Sequence, residues 1–272
     1  ADELITLLSE TFLEEGDEII VPAPSFSEYD FGANLMGAEI VPIPLDEKYQ
    51  FDVDKMLAAI TDRTKLLYIC SPNNPTGTYL GKEDLERILN EVPERVLVVL
   101  DGAYSHYATA EDYTEGIEFV KAGAPILVMQ TFSKIYGLAG LRVGFGIARE
   151  SIIQTILKVK EPFNVNSLAQ AAAAAAIQDD DHVIASRESN EAGKKQLYEG
   201  FEKLGLSYTE TMSNFILLQL GPDAERIYQE LLRKGVIVRY GKIWGLPEHV
   251  RVTIGTKEEN DFFLEALNSI LK

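Results

Sequence analysis

Lys134 lies in Thr-Phe-Ser-Lys-Ile-Tyr-Gly-Leu-Ala-Gly-Leu-Arg, residues 131–142, with hydroxyls at Thr131 and Ser133 and a guanidinium at Arg142. Upstream lie Ser-Pro-Asn-Asn-Pro-Thr-Gly, residues 71–77, and Val-Leu-Asp-Gly-Ala-Tyr, residues 99–104. The three segments supply an amine, a cation beside hydroxyl donors, an amide and a carboxylate. The amine can form an imine with an aldehyde. The cation and hydroxyls can hold a phosphate, and the carboxylate can keep a pyridine nitrogen protonated. An enzyme that uses pyridoxal 5′-phosphate needs all of these groups. A free lysine is protonated at neutral pH and does not attack carbonyls. Nearby cations and a shortage of water lower its proton affinity, and Arg142 with a pyridinium would provide such cations.

Each residue also admits a plainer reading. Asp101 follows the apolar run Val-Leu-Val-Val-Leu, so its carboxylate needs a partner, either the backbone of the next element or a pyridinium. Tyr104 and Asn74 could share a phenolic oxygen on the cofactor, although a core tyrosine and a simple turn fit their contexts as well. Phe26, in Pro-Ala-Pro-Ser-Phe-Ser-Glu-Tyr, suits the face of a planar ring or the core. Ala1, Asp2 and Glu3 open a helical pattern, whose first N–H groups are an anion site or merely a helix start.

These residues must be positioned by regular elements. Short apolar runs at residues 18–21, 39–43, 66–70, 96–100, 126–130 and 143–147 alternate with helical patterns at 26–36, 53–60, 82–91 and 115–122, after a first helix at 2–15. Runs that are continuous rather than alternating predict strands buried on both faces, as in a mostly parallel α/β sheet. Asn74, Asp101 and Thr131 to Lys134 then all follow strand ends, where ligands of open α/β sheets bind. From about residue 150 helices dominate, at 151–160, 166–178 and 179–204. They precede strands at 215–220, 236–239 and 250–254 and helices at 223–234 and 257–271. The pattern predicts a large domain over residues 1–178 and a smaller α+β domain over 179–272. No Gly-, Pro- or Ser-rich linker separates them, so close packing is expected.

The whole chain narrows the function further. Its 272 residues carry a net charge of −18, which disfavours nucleic acid and anionic membrane as partners. A phosphate site must therefore rely on local cations and helix ends. No apolar run is long enough for a membrane span. Cys70 is the single cysteine and lies in an apolar run, so a buried structural thiol in a cytoplasmic protein is expected. His106, His182 and His249 show no metal-ligand spacing.

In order and spacing the chain resembles the aspartate aminotransferase superfamily of pyridoxal-phosphate enzymes, fold type I, from Ala1 to the final helix. The combination of Asn-Pro-Thr-Gly, Asp-x-Ala-Tyr and Thr-x-Ser-Lys followed by arginine carries that resemblance. It implies Lys134 as the cofactor-bonded lysine and proton shuttle, Asp101 on the ring nitrogen, and Asn74 and Tyr104 on the ring oxygen. It places Ala1, Asp2, Thr131, Ser133 and Arg142 around the phosphate and Phe26 against the ring. Asp-Glu-Leu-Ile, Pro-Ser-Phe-Ser-Glu-Tyr, Val-Ile-Val-Arg-Tyr and Leu-Pro-Glu-His-Val-Arg-Val-Thr-Ile-Gly-Thr are similar to the histidinol-phosphate aminotransferases within it. That likeness implies Arg251 on the carboxylate of glutamate and Arg239 on a substrate phosphate, roles that suit the planar fork of arginine. It also implies a homodimer and an N-terminal arm ahead of Ala1. Gly102 departs from the family, which commonly has glutamate there. An aromatic aminotransferase, an amino-acid phosphate decarboxylase, or the ligand-sensing domain of a transcription regulator would use the same scaffold.

Overall fold

A computed structural model describes all 272 residues. The N-terminal part runs α1 (Asp2–Phe12), β1 (Glu18–Ala23), α2 (Glu28–Met36), β2 (Glu39–Pro44), α3 (Val53–Ala58), β3 (Thr64–Cys70), α4 (Lys82–Glu91) and β4 (Leu97–Asp101). It continues through α5 (Ile117–Lys121), β5 (Ile126–Thr131), β6 (Gly144–Ala148) and α6 (Glu150–Ile156). After α7 (Ser167–Ala176) and α8 (Asp180–Lys203) come β7 (Phe215–Gln219), α9 (Ala224–Arg233), β8 (Arg239–Tyr240), β9 (His249–Thr253) and α10 (Lys257–Leu271).

The first six strands form one sheet in the order β2-β1-β3-β4-β5-β6. All neighbours pair in parallel except β5 and β6. Successive residues of a strand point to opposite faces, and each face is filled. Ile19, Tyr68, Val99 and Met129 pack with α1, α2 and α6. Ile20, Leu67, Val98 and Val128 pack with α3 and α4 on the other side. This double burial is why the strands read as unbroken apolar runs. The parallel register brings the ends of β3, β4 and β5 to one edge, where Asp101 closes β4 and Thr131 closes β5.

The last three strands form a second sheet, order β7-β9-β8, with antiparallel pairs. Its core joins Ile216, Leu218, Val250 and Val252 to Phe201 of α8, Ile227 of α9 and Leu267 of α10. Local signals set the helix starts. Asp179 accepts from the His182 N–H at 3.1 Å, and Thr256 with Glu259 forms a reciprocal capping box; such caps contribute about 1 kcal/mol each. The two parts meet directly. The Met212 N–H donates to the Gly77 carbonyl at 2.8 Å, and Gly77 has φ +77°, with Thr211 filling the space where a Cβ would stand. Only glycine fits that seam.

The expected elements are present with shifted ends. The first helix stops at Phe12 rather than residue 15, because Leu13 turns extended and its side chain enters the core. The strand expected at 236–239 is the two-residue β8, since Ile237 points outward, 85% exposed, and pairing begins only at Arg239.

Candidate active site

The edge where β3, β4 and β5 end opens into a cavity of about 830 Å³ that also receives β8 and β9. At its floor lies Asp101, 4% exposed. Tyr29 Oη donates to its Oδ2 at 2.7 Å, and the Ala103 N–H donates to its Oδ1 at 3.0 Å. Both donors are neutral. Burial raises the proton affinity of the carboxyl, and those two hydrogen bonds work against the rise. Tyr29 is fully buried and stacks on Tyr68 with ring centroids 4.4 Å apart. Phe26 meets Tyr29 edge-on at 5.7 Å and lines the cavity.

Lys134 opens into the same cavity from the loop after β5, with its Nζ 5.1 Å from the centre of the Tyr104 ring. Its proton affinity is lowered, first by desolvation and then by the Arg251 guanidinium. The depressing cation within the chain is thus Arg251 rather than the Arg142 expected from the sequence. Tyr104 is buried, and its ring packs edge-on against Phe215 at 5.0 Å. Desolvation raises the pKa of its phenol well above the ordinary range, so the group holds its proton.

A second corner gathers Ala1, Asp2, Glu3, Thr131, Ser133 and Arg142. Ala1 caps α1, its carbonyl accepting from the Leu4 N–H at 2.8 Å. Thr131 Oγ1 accepts from the Ser133 N–H at 3.1 Å, which folds the loop so that both residues face the cavity. Arg142 takes a left-handed backbone, φ 55°, and donates to Asp2 Oδ2 at 2.7 Å. Both side chains are exposed, so the pair itself contributes little. Glu3 accepts from Asn164 Nδ2 at 2.8 Å. An anion here would meet the start of α1, two hydroxyls and one guanidinium.

The opposite wall comes from the second sheet. Arg239 and Arg251 are register partners on β8 and β9, so their side chains leave the same face side by side. Arg251 lies between aromatic rings, its guanidinium carbon 4.7 Å from the Phe215 centroid and 5.2 Å from that of Trp244. Its Nη1 donates to Asn74 Oδ1, whereas its Nε is buried with no partner. Desolvation and the neighbouring Arg239 both lower its proton affinity.

All the expected site residues line one cavity. Asn73 differs from its neighbour Asn74. Its amide bonds Pro24 O at 3.0 Å and Thr76 Oγ1 at 2.9 Å, which makes it the brace of the turn. Cys70 also lines the cavity, and burial drives its thiol pKa far up. A Cβ at Gly102 would lie 2.9 Å from Gln130 Nε2, so a larger residue there would need Gln130 to move. Sequence reasoning missed Tyr29 and Trp244. The signal for Tyr29 was its place in the Pro-Ser-Phe-Ser-Glu-Tyr segment with Phe26, just where a helix begins. Trp244, the single tryptophan, sits in a short turn with no periodicity to flag it.

Residues 1–267 match the family described as aminotransferase class I and II. The chain is 51% identical over 271 residues to the histidinol-phosphate aminotransferase of Moorella thermoacetica, covering 99% of this chain and 70% of that one. It is 44% identical to the histidinol-phosphate aminotransferase of Bacillus velezensis, covering 100% and 75% respectively. The solved histidinol-phosphate aminotransferase of Clostridium acetobutylicum superposes with a TM-score of 0.93 at 26% identity, over 100% of this chain and 81% of that one.

Proposed function

The chain belongs to the class I and II aminotransferase family, and from that premise we propose that it is a pyridoxal-phosphate transaminase acting on L-histidinol phosphate and 2-oxoglutarate. The products are imidazole acetol phosphate and L-glutamate, a step of histidine biosynthesis. The observation that carries the reading is the Arg239–Arg251 pair facing Lys134 across one cavity. Like charges directly opposite on a sheet repel, and the buried Nε of Arg251 is unpaired. Both features are relieved by an anionic substrate, a carboxylate in one half-reaction and a phosphate in the other.

The residues present fit the cofactor. A buried carboxylate bonded only by neutral donors suits a ring N–H⁺. When bound, pyridoxal phosphate supplies an aldehyde that exchanges amines and a ring that acidifies the substrate Cα–H. Asp101 would hold the ring nitrogen protonated, kept in place by Tyr29. Tyr104 and Asn74 would face the ring oxygen, and Phe26 the ring surface. Thr131, Ser133 and Arg142, with the first N–H groups of α1 at Asp2 and Glu3, would hold the phosphate. Lys134, with its lowered proton affinity, would carry the proton to and from the substrate Cα. Arg251 would grip the substrate carboxylate and Arg239 the substrate phosphate.

The same proposal divides the chain into a cofactor-holding domain, residues 1–178, and a small domain, 179–272, a reading that the two separate sheets and cores support. A homodimer is part of the same proposal. Phe163 is 98% exposed with φ 62°, and Leu168 is 76% exposed, beside cavity residues Asn164 and Val165. A second copy would cover them; a monomer by light scattering that retains full activity would refute it. No helix is long and apolar enough to cross a membrane, and a cytoplasmic place fits the free thiol of Cys70.

The test is a donor panel on the cofactor-loaded protein: histidinol phosphate, phenylalanine and aspartate. Preference for histidinol phosphate supports the proposal. Preference for phenylalanine would replace it with an aromatic aminotransferase. Release of carbon dioxide from an amino-acid phosphate would indicate a decarboxylase.

A further inference from the structure

Tyr49 bridges the two sheets at a distance from the chemistry. It sits in the turn after β2, built around Asp46, whose Oδ1 accepts from the N–H groups of Lys48 and Gln50, each at 2.8 Å. The Tyr49 N–H donates to the Asp46 carbonyl at 2.9 Å. The turn holds Tyr49 at φ 59°, a left-handed backbone that a bulky side chain rarely adopts. Its two polar ends then point to different partners. The Tyr49 carbonyl accepts from Thr78 Oγ1 at 2.7 Å, and the Tyr49 hydroxyl meets His249 Nε2 at 3.2 Å. The Tyr49 and His249 rings also pack edge-on with centroids 6.1 Å apart.

Both partners lead to Arg251. Thr78 Oγ1 contacts Thr76 Oγ1 at 2.7 Å, Thr76 Oγ1 accepts from Asn73 Nδ2, and the next residue, Asn74, accepts from Arg251. On the other side, His249 lies two residues before Arg251 on β9 and shares its face, while Val250 and Val252 point into the core. The path is closed: Tyr49, the Asn74 turn, Arg251, β9, His249 and Tyr49 again. Tyr49 ties the Asn74 turn to β9 at a second point, away from the Arg251–Asn74 bond.

We propose that Tyr49 and His249 form a positioning pair that fixes Arg251 relative to Asn74, and so sets how well the site grips a substrate carboxylate. Neither side chain lines the cavity, so the pair acts through Arg251 rather than on substrate. A residue held in a sparsely populated conformation by a fully bonded turn fits such a task. The inference rests on the reading of Arg251 as the carboxylate ligand.

The test uses the cofactor-loaded protein and single-turnover reaction with glutamate, reading its apparent Kd, the limiting rate and retained cofactor. Tyr49→Phe removes one hydrogen bond and should raise the glutamate Kd roughly three- to tenfold, with rate and cofactor retention unchanged. His249→Gln can place a polar atom near the Nε2 position and should stay within about twofold of the wild type, judged against the same single-bond scale. Because the pair works through Arg251, Tyr49→Phe should add nothing to Arg251→Lys, a non-additivity that marks coupled residues. An unchanged Kd in Tyr49→Phe overturns the proposal. So do independent losses in the double variant, or a loss of cofactor and thermal stability that accounts for the weakened binding. Failure of the underlying reading looks different: the wild type would not react with glutamate, or Arg251→Lys would bind it normally, and the inference would fall with it.

Discussion

The two walls of the cavity are finished to different degrees. At the ends of the parallel strands, Asp101 is buried with both oxygens bonded by Tyr29 and Ala103. On the antiparallel wall, Arg251 keeps a buried Nε without a partner, and its register partner Arg239 carries the same charge. The first wall is preassembled, because its strained element, a buried carboxylate, is stabilised by the protein's own donors. The second would be completed, on the proposed reading, by an anion between the arginines. On the proposed reading, the catalytic groups belong to the wall whose geometry the sheet dictates, and recognition to the wall that leaves charge unspent. Substitutions on the first wall should change rate, and those on the second should change binding.

The comparison breaks most visibly at Lys134. Lys134→Ala should cost on the order of 10²–10⁴ in the rate of proton transfer, read by single turnover with either amino donor. Borohydride reduction of the wild type should fix the cofactor to Lys134, seen by mass spectrometry; an adduct on another lysine would remove it from the chemistry. Asp101→Asn follows, with a loss of about a hundredfold or more in turnover and cofactor partly retained. Near-normal turnover would mean that the buried carboxylate is only structural, and the distinction between the walls would collapse.

The recognition wall should respond differently. Arg251→Lys keeps the charge and loses the planar fork, so it should weaken glutamate by roughly ten- to a hundredfold. Arg239→Ala should harm histidinol phosphate by a similar factor and unphosphorylated aromatic donors little. Equal losses for both donor types would make Arg239 a structural residue and favour the aromatic aminotransferase reading.

How much of this was legible depended on sequence distance. The Lys134 segment carries its hydroxyls and guanidinium within one stretch, and the strands of the first sheet read as apolar runs because both faces are buried. β8 was misjudged because its apolar run, Val236 to Val238, precedes the paired residues rather than forming them. Tyr29 meets Asp101 from 72 residues away, and Tyr49 meets His249 from 200. No local periodicity encodes such pairs, since they exist only once the sheets have met. Arg251 was found through its motif, but its effect on Lys134 follows from a cavity that the order of strands alone does not draw.

The smallest expected effect concerns pH and again separates the walls. His249, beside the arginine wall, is partly buried, and desolvation lowers its proton affinity, with Glu248 opposing. Its Nε2 meets Tyr49, while its Nδ1 is buried without a partner. A charged imidazole donates from both nitrogens, so protonation would leave the Nδ1–H unsatisfied. The folded pKa therefore lies below the unfolded value of about 6.5. As pH falls through that value the unfolded chain takes up the proton first, so the contribution of His249 is full above about pH 7 and declines below it. Asp101, on the first wall, has the opposite sign: its raised folded pKa makes the native state bind the proton first, which adds stability as pH falls through that raised value. The two walls thus pull the pH profile in opposite directions. His249→Gln removes only the histidine share. Its urea midpoint should fall less than the wild type's between about pH 7.5 and 5.5, a window spanning the ordinary histidine range. Parallel falls in the two proteins would show that His249 does not contribute to the pH response.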